Sequence, residues 1–132
     1  MGLFQKFKIF NAVEETNILY RLIGGGQFGG QPIKNGKEPK PGTTVSGVFA
    51  TPHKSAINAM IEYCVEQGED EITGLPIKES DLRVLFLSGA KVRKPTAREK
   101  FMDWEESDKD EVMVDYAKIE KVLTIQEWNK MK

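Results

Sequence analysis

Between Val45 and Gly68 the hydrophobic pattern changes once, from the period of a strand to that of a helix, and the change falls on Thr51-Pro52. Val45-Ser46-Gly47-Val48-Phe49-Ala50 is β-favouring and apolar at most positions. Behind it Ala56, Ile57, Met60, Ile61, Cys64 and Val65 fall on one helical stripe, with Lys54, Asn58, Glu62 and Glu66 on the other side. Pro52 suits a first helical turn, where its missing N–H would have had no partner, and Thr51 is then the natural N-cap. Gly68 is the stop signal, so the pattern predicts one amphipathic helix over 52–67. A hydroxyl at a strand's end, beside a helix's first unpaired N–H groups, is suited to the polar part of a small ligand. His53 stands at the second helical position, where it could touch a ligand, although such a histidine is more often simply exposed.

The rest of the chain is mostly strand and loop. Leu3 to Phe10 is ambiguous, because Phe4, Phe7 and Phe10 have helical spacing within β-favouring content. Thr16 to Ile23 reads as a strand and carries Tyr20-Arg21 near its end. From Gly24 to Gly42 there is almost no apolar period, and seven glycines share the stretch with Pro32, Pro39 and Pro41, which predicts a long loop. Such a loop is either a lid or an inert surface excursion; without a Gly-Lys-Ser/Thr it is no phosphate loop. Leu82 to Leu87 is apolar at nearly every position, as a buried central strand is. Val112 to Tyr116 and Ile119 to Ile125 read as two further strands, and the whole is a strand-rich α+β single domain over 1–132.

Composition excludes several function classes. Nineteen Lys and Arg against twenty Asp and Glu leave a formal charge of −1, so no global field draws the chain to nucleic acid or membrane. A single Cys64 forbids an internal disulfide, and with the lone His53 it makes a zinc site unexpected; on the helical stripe, Cys64 reads as a small core residue. The N-terminus lacks a long apolar run and a small-residue cleavage site, so the expectation is a cytoplasmic protein with no membrane span. Lys91, Arg93, Lys94, Arg98 and Lys100 form a basic stretch that could meet RNA, DNA or an acidic protein, although no aromatic residue interleaves them. Trp104 and Trp128 could stack on a ring, but sealing a core edge is the simpler role.

The order of these parts, a strand bearing Tyr20-Arg21, a strand-to-helix corner at Phe49-Ala50-Thr51-Pro52 and an acidic corner at Glu105-Glu106, resembles the small ADP-ribosyltransferases. Three short patches between about Asn17 and Glu127 carry the resemblance. It implies two packed β-sheets with a helix after the second motif. It also implies NAD as substrate, ADP-ribose transfer to a protein or nucleic-acid acceptor, release of nicotinamide, and no metal. Arg21, beside Tyr20, would clamp the dinucleotide, a task that suits a permanently charged planar fork. Thr51 would orient the ribose, with His53 at hand, although the corner is Ala50-Thr51-Pro52 where the family has Ser-Thr-Ser. Glu105 or Glu106, and after them Glu127, would stabilise the oxocarbenium-like state formed as the bond to nicotinamide breaks.

A reading from another class is the alternative. Short chains with a Lys/Glu-rich surface and no clear catalytic motif also fit a non-enzymatic accessory protein, of viral or plasmid type, that binds a host protein or a nucleotide through a surface patch. A third possibility keeps the nucleotide pocket without turnover.

Overall fold

Arg83–Leu87 is buried throughout, and the sheet is built around it. The structure is a computed structural model and describes residues 18–26, 30–34, 36–70, 74–94 and 111–131. Strand β4 (Arg83–Arg93) takes β1 (Leu19–Ile23) on one edge and β5 (Val112–Thr124) on the other, both antiparallel. The far edge of β5 pairs with two short strands, β2 (Thr44–Val45) and β3 (Val48–Ala50). Just past β3, Tyr20 N donates to Thr51 O at 2.7 Å and Thr51 N to Tyr20 O at 3.0 Å. The sheet thus returns to β1 and closes on itself as a small barrel.

The barrel interior draws side chains from all five strands, among them Ile23, Val45, Ala50, Leu85, Leu87, Val114 and Ile119, with Ile33 added from the loop. Along β5 the inward residues are Val112, Val114, Ala117, Ile119 and Val122, so the step of two is twice a step of three. Two of the three register shifts against β4 fall at the same places, with the extra residue on β5; the third, between Ser88 and Lys91, has it on β4. Each slip on β5 inserts one residue, bends the strand and turns the following side chains back toward the interior.

Outside the barrel a second core lies under the helices. Helix α1 (Lys54–Gln67) buries Ile57, Met60, Ile61 and Cys64 against Leu22, Val84 and Phe86 of the sheet, and helix α2 (Ile125–Lys130) adds Ile125 and Trp128. Trp128 Nε1 donates to Asn58 Oδ1 at 2.7 Å, which satisfies the indole while its ring packs edge-on to Tyr20 and Phe86. No described helix is long and apolar enough to cross a membrane.

The α+β class stands, but the described strands form one hydrogen-bonded sheet where two packed sheets were expected. Curling supplies the reason, because a sheet closed on itself packs its own two halves face to face. The helix begins at Lys54, two residues later than the 52–67 expectation, with His53 at the N-cap and Gly68 in the left-handed region at φ 73° as its stop. Thr51 does not cap α1: its Oγ1 accepts from His53 N at 3.0 Å in the turn that precedes the helix. The two strands expected in 112–125 are one bent strand, the strand at 45–50 breaks at Ser46-Gly47, and α2 had not been foreseen. The segment Leu3 to Phe10 lies outside the described residues.

The described part of the 24–42 loop is pinned rather than hung free. Ile33 N donates to Asp81 O at 3.0 Å, Gly42 N to Ile119 O at 2.8 Å, and Glu38 Oε2 meets Arg83 Nη2 at 2.9 Å. Arg83 is buried on the inner face, so this ion pair ties the loop to the sheet.

Candidate functional site

Four of the residues expected to bind a ligand meet where the barrel closes. Tyr20 and Thr51 are the paired residues of that seam, Arg21 follows Tyr20, and His53 follows the turn made by Thr51. Their side chains diverge. The Tyr20 ring joins the helix-side core at 5.0 Å from Phe86, with the Lys54 ammonium 6.0 Å from its centroid, and burial raises its phenol pKa. Arg21 lies between Leu19 and Ile23 and opposite Leu85, all inward-facing, so strand alternation sends its side chain into the barrel. There Nη1 donates to Phe49 O at 3.0 Å and ties β1 to β3. Burial lowers the Arg21 pKa while the charge of Glu111 opposes that shift; a guanidinium starts so high that it stays charged. Thr51 is 1% exposed and its hydroxyl already serves the turn.

The carboxylates stand apart from this seam. Glu127 Oε1 accepts from Thr124 N at 2.9 Å while Thr124 Oγ1 accepts from Glu127 N at 3.1 Å, a capping box that starts α2. Glu105 and Glu106 lie outside the described residues. Among the described residues no group of three or more His, Cys, Asp or Glu side chains is placed to hold a metal ion.

A second constellation lies on the outer face of β4 and β5, beyond the part covered by the helices. Phe86, under the helices, pairs with Lys121, whose ammonium lies 5.6 Å over its ring, so Lys121 shares the outer face. Continuing outward, Ser88 pairs with Lys118, Lys91 with Tyr116, and Arg93 with Met113. Lys118 stands between the inward residues Ala117 and Ile119, and Tyr116 precedes Ala117, so both point outward. This strip carries the exposed side chains of Lys91, Arg93, Lys118 and Lys121 around Tyr116, which is 49% exposed, while Met113 at its far end is buried. Two acidic groups share it: Asp115, 3.3 Å from Arg93 Nε, and Glu120, which accepts from Ser88 Oγ.

Half of this strip was visible in the basic stretch that opens at Lys91; Tyr116 was not. Its place beside Lys91 depends on hairpin register across two bulges, which no local pattern encodes. Comparison of the chain with protein-family models, with curated proteins and with solved structures gave no match.

Proposed function

We propose that the protein is a binding module for nucleic acid that works through the outer strip of β4 and β5. One observation carries the reading: a chain of formal charge −1 gathers the exposed side chains of Lys91, Arg93, Lys118 and Lys121 on one strand face around an exposed tyrosine. Phosphates reward such clustering by releasing their condensed counterions, and the reward is local, so it does not need a basic protein. A small barrel hydrogen-bonded on both edges of β5 keeps those cations at fixed spacing, as strand-face binders of oligonucleotides require. This stands with the non-enzymatic class of function set out from the sequence.

Anisotropy of a labelled oligonucleotide titrated with the protein at several salt concentrations tests it. Three phosphates of a single strand neutralised by Lys91, Lys118 and Lys121, with Arg93 held by Asp115, give a slope of log K against log salt of about −2. Lys91→Glu with Lys118→Glu is expected to abolish binding without changing the circular dichroism. An oligonucleotide that stays unbound at low salt would remove the proposal.

A second reading keeps NAD, favoured by the meeting of Tyr20, Arg21, Thr51 and His53 at one seam. In it Arg21 grips the dinucleotide and Glu105 or Glu106 stabilises the developing cation during ADP-ribose transfer, while Thr51 and Glu127 keep the turn and the cap they serve. NAD at 100 times its dissociation constant would then add about 2.7 kcal/mol of stability. Glu105→Gln with Glu106→Gln would keep that shift and lose nicotinamide release; a melting curve indifferent to NAD would exclude this reading.

A further inference from the structure

We infer that the strip takes single-stranded nucleic acid, with a base stacked on Tyr116 and the backbone running past Lys118, Lys91 and Arg93. This rests on the nucleic-acid reading above and narrows it to one kind of strand.

The argument begins with how Tyr116 is mounted. Its neighbours Val114 and Ala117 are fully buried, and β5 is hydrogen-bonded to β4 on one edge and to β2 and β3 on the other. Tyr116 itself pairs with Lys91 of β4, and on the other edge β2 holds Ala117 and Lys118 while β3 holds Val114, so its backbone is anchored on either side along the strand. A tyrosine has only two side-chain torsions to immobilise, so a half-exposed ring on such a base is a stacking platform of low ordering cost.

Its surroundings then select the ligand. Lys91 is its cross-strand partner, and Lys118 lies two residues along the strand, roughly 7 Å away at strand rise. A base on the ring therefore places its flanking phosphates among cations on both sides. Duplex nucleic acid would use the cations but not the ring, because its bases are stacked on each other and its outer surface is phosphate and sugar. A single strand uses both, since every unstacked base has a π-face to offer. The same geometry predicts weak sequence preference, because among the described residues the strip offers stacking and charge, and its Asp115 and Glu120 are engaged by Arg93 and Ser88.

The test compares a single-stranded oligonucleotide with a duplex of the same sequence, on the full chain, with parent, Tyr116→Ala, Tyr116→Phe and Lys118→Ala proteins. The expected result is preference for the single strand, binding weakened roughly five- to 150-fold by Tyr116→Ala, and recovery in Tyr116→Phe, which keeps the ring. Tyr116→Ala should leave the salt slope unchanged, because no phosphate contact is lost, whereas Lys118→Ala should flatten it by about 0.7. A merely structural tyrosine would not divide the two readouts in this way. Equal affinity for the duplex together with a silent Tyr116→Ala overturns the single-strand inference and leaves the nucleic-acid reading standing. Absence of binding to either form at low salt overturns both.

Discussion

Gly24 governs how the chain leaves β1. Its φ is +91°, in the left-handed region, and a Cβ added there would stand in the backbone carbonyl of Asp81. That carbonyl is also the acceptor for Ile33 N, so the glycine brings together three parts of the chain: the end of β1, the loop, and the turn before β4. Gly24→Ala therefore adds a strained dihedral to a backbone collision that no rotamer can relieve. The expected loss is roughly 2 kcal/mol or more, read as a lower urea midpoint at unchanged slope. Gly36, at φ +83°, has nothing within 4 Å of an added Cβ and should show only the smaller dihedral cost, which makes Gly36→Ala the control. The sequence marked both positions alike as loop glycines. What separates them is a contact 57 residues away in the chain, between Gly24 and Asp81, which composition does not carry.

At the scale of elements, legibility followed how local the determinant is. The α1 stripe and its Gly68 stop depend on neighbours within four residues, and both were readable. So was the buried run in β4, because a strand covered on both faces is apolar at nearly every position, Arg83 being the exception here. The start of α1 was misjudged because Thr51 and Pro52 satisfy two local motifs equally well, a helix cap and a hydroxyl turn. The pairing of Thr51 with Tyr20 holds it in the strand direction, so the turn wins and the helix waits until Lys54. In β5 the bulges hid the element. Two steps of three break the alternation that marks a strand, and Val112 to Thr124 looks like two strands although its ladder with β4 runs throughout. The overlooked α2 did carry a signal, since Thr124-Ile125-Gln126-Glu127 is a capping-box sequence. The resemblance assigns Glu127 to catalysis, whereas the fold uses it as the α2 cap.

For the whole molecule, Glu38 and Cys64 act at opposite ends of the pH scale on how the barrel and its helix layer hold together, and the raised phenol of Tyr20 adds to the alkaline side. Glu38 joins the loop to the inner face through Arg83, and that guanidinium's hydrogen bond holds its carboxyl below the usual range. A carboxyl depressed in the folded state contributes stability above its unfolded pKa and loses it as pH falls through the folded value. Cys64 acts in the opposite sense. Burial under α1, with the negative charge of Asp70 as a lesser cause, pushes its thiol from an ordinary 9.0 up to about 11. Between those values the unfolded chain releases the proton that the folded chain keeps, so stability falls as pH rises from about 9 to 11, by an amount on the order of 2 kcal/mol. Melting temperature plotted against pH should therefore slope downward on both sides of a neutral plateau, with separable causes. Glu38→Gln should flatten the acid limb and leave the alkaline one. Cys64→Ala should lower the plateau through the small cavity it opens, yet flatten the alkaline limb relative to the parent. Parallel alkaline limbs in parent and Cys64→Ala would mean that the thiol does not remain protonated in the core, and that the packing of α1 on the sheet admits water where the structure shows Cys64 1% exposed.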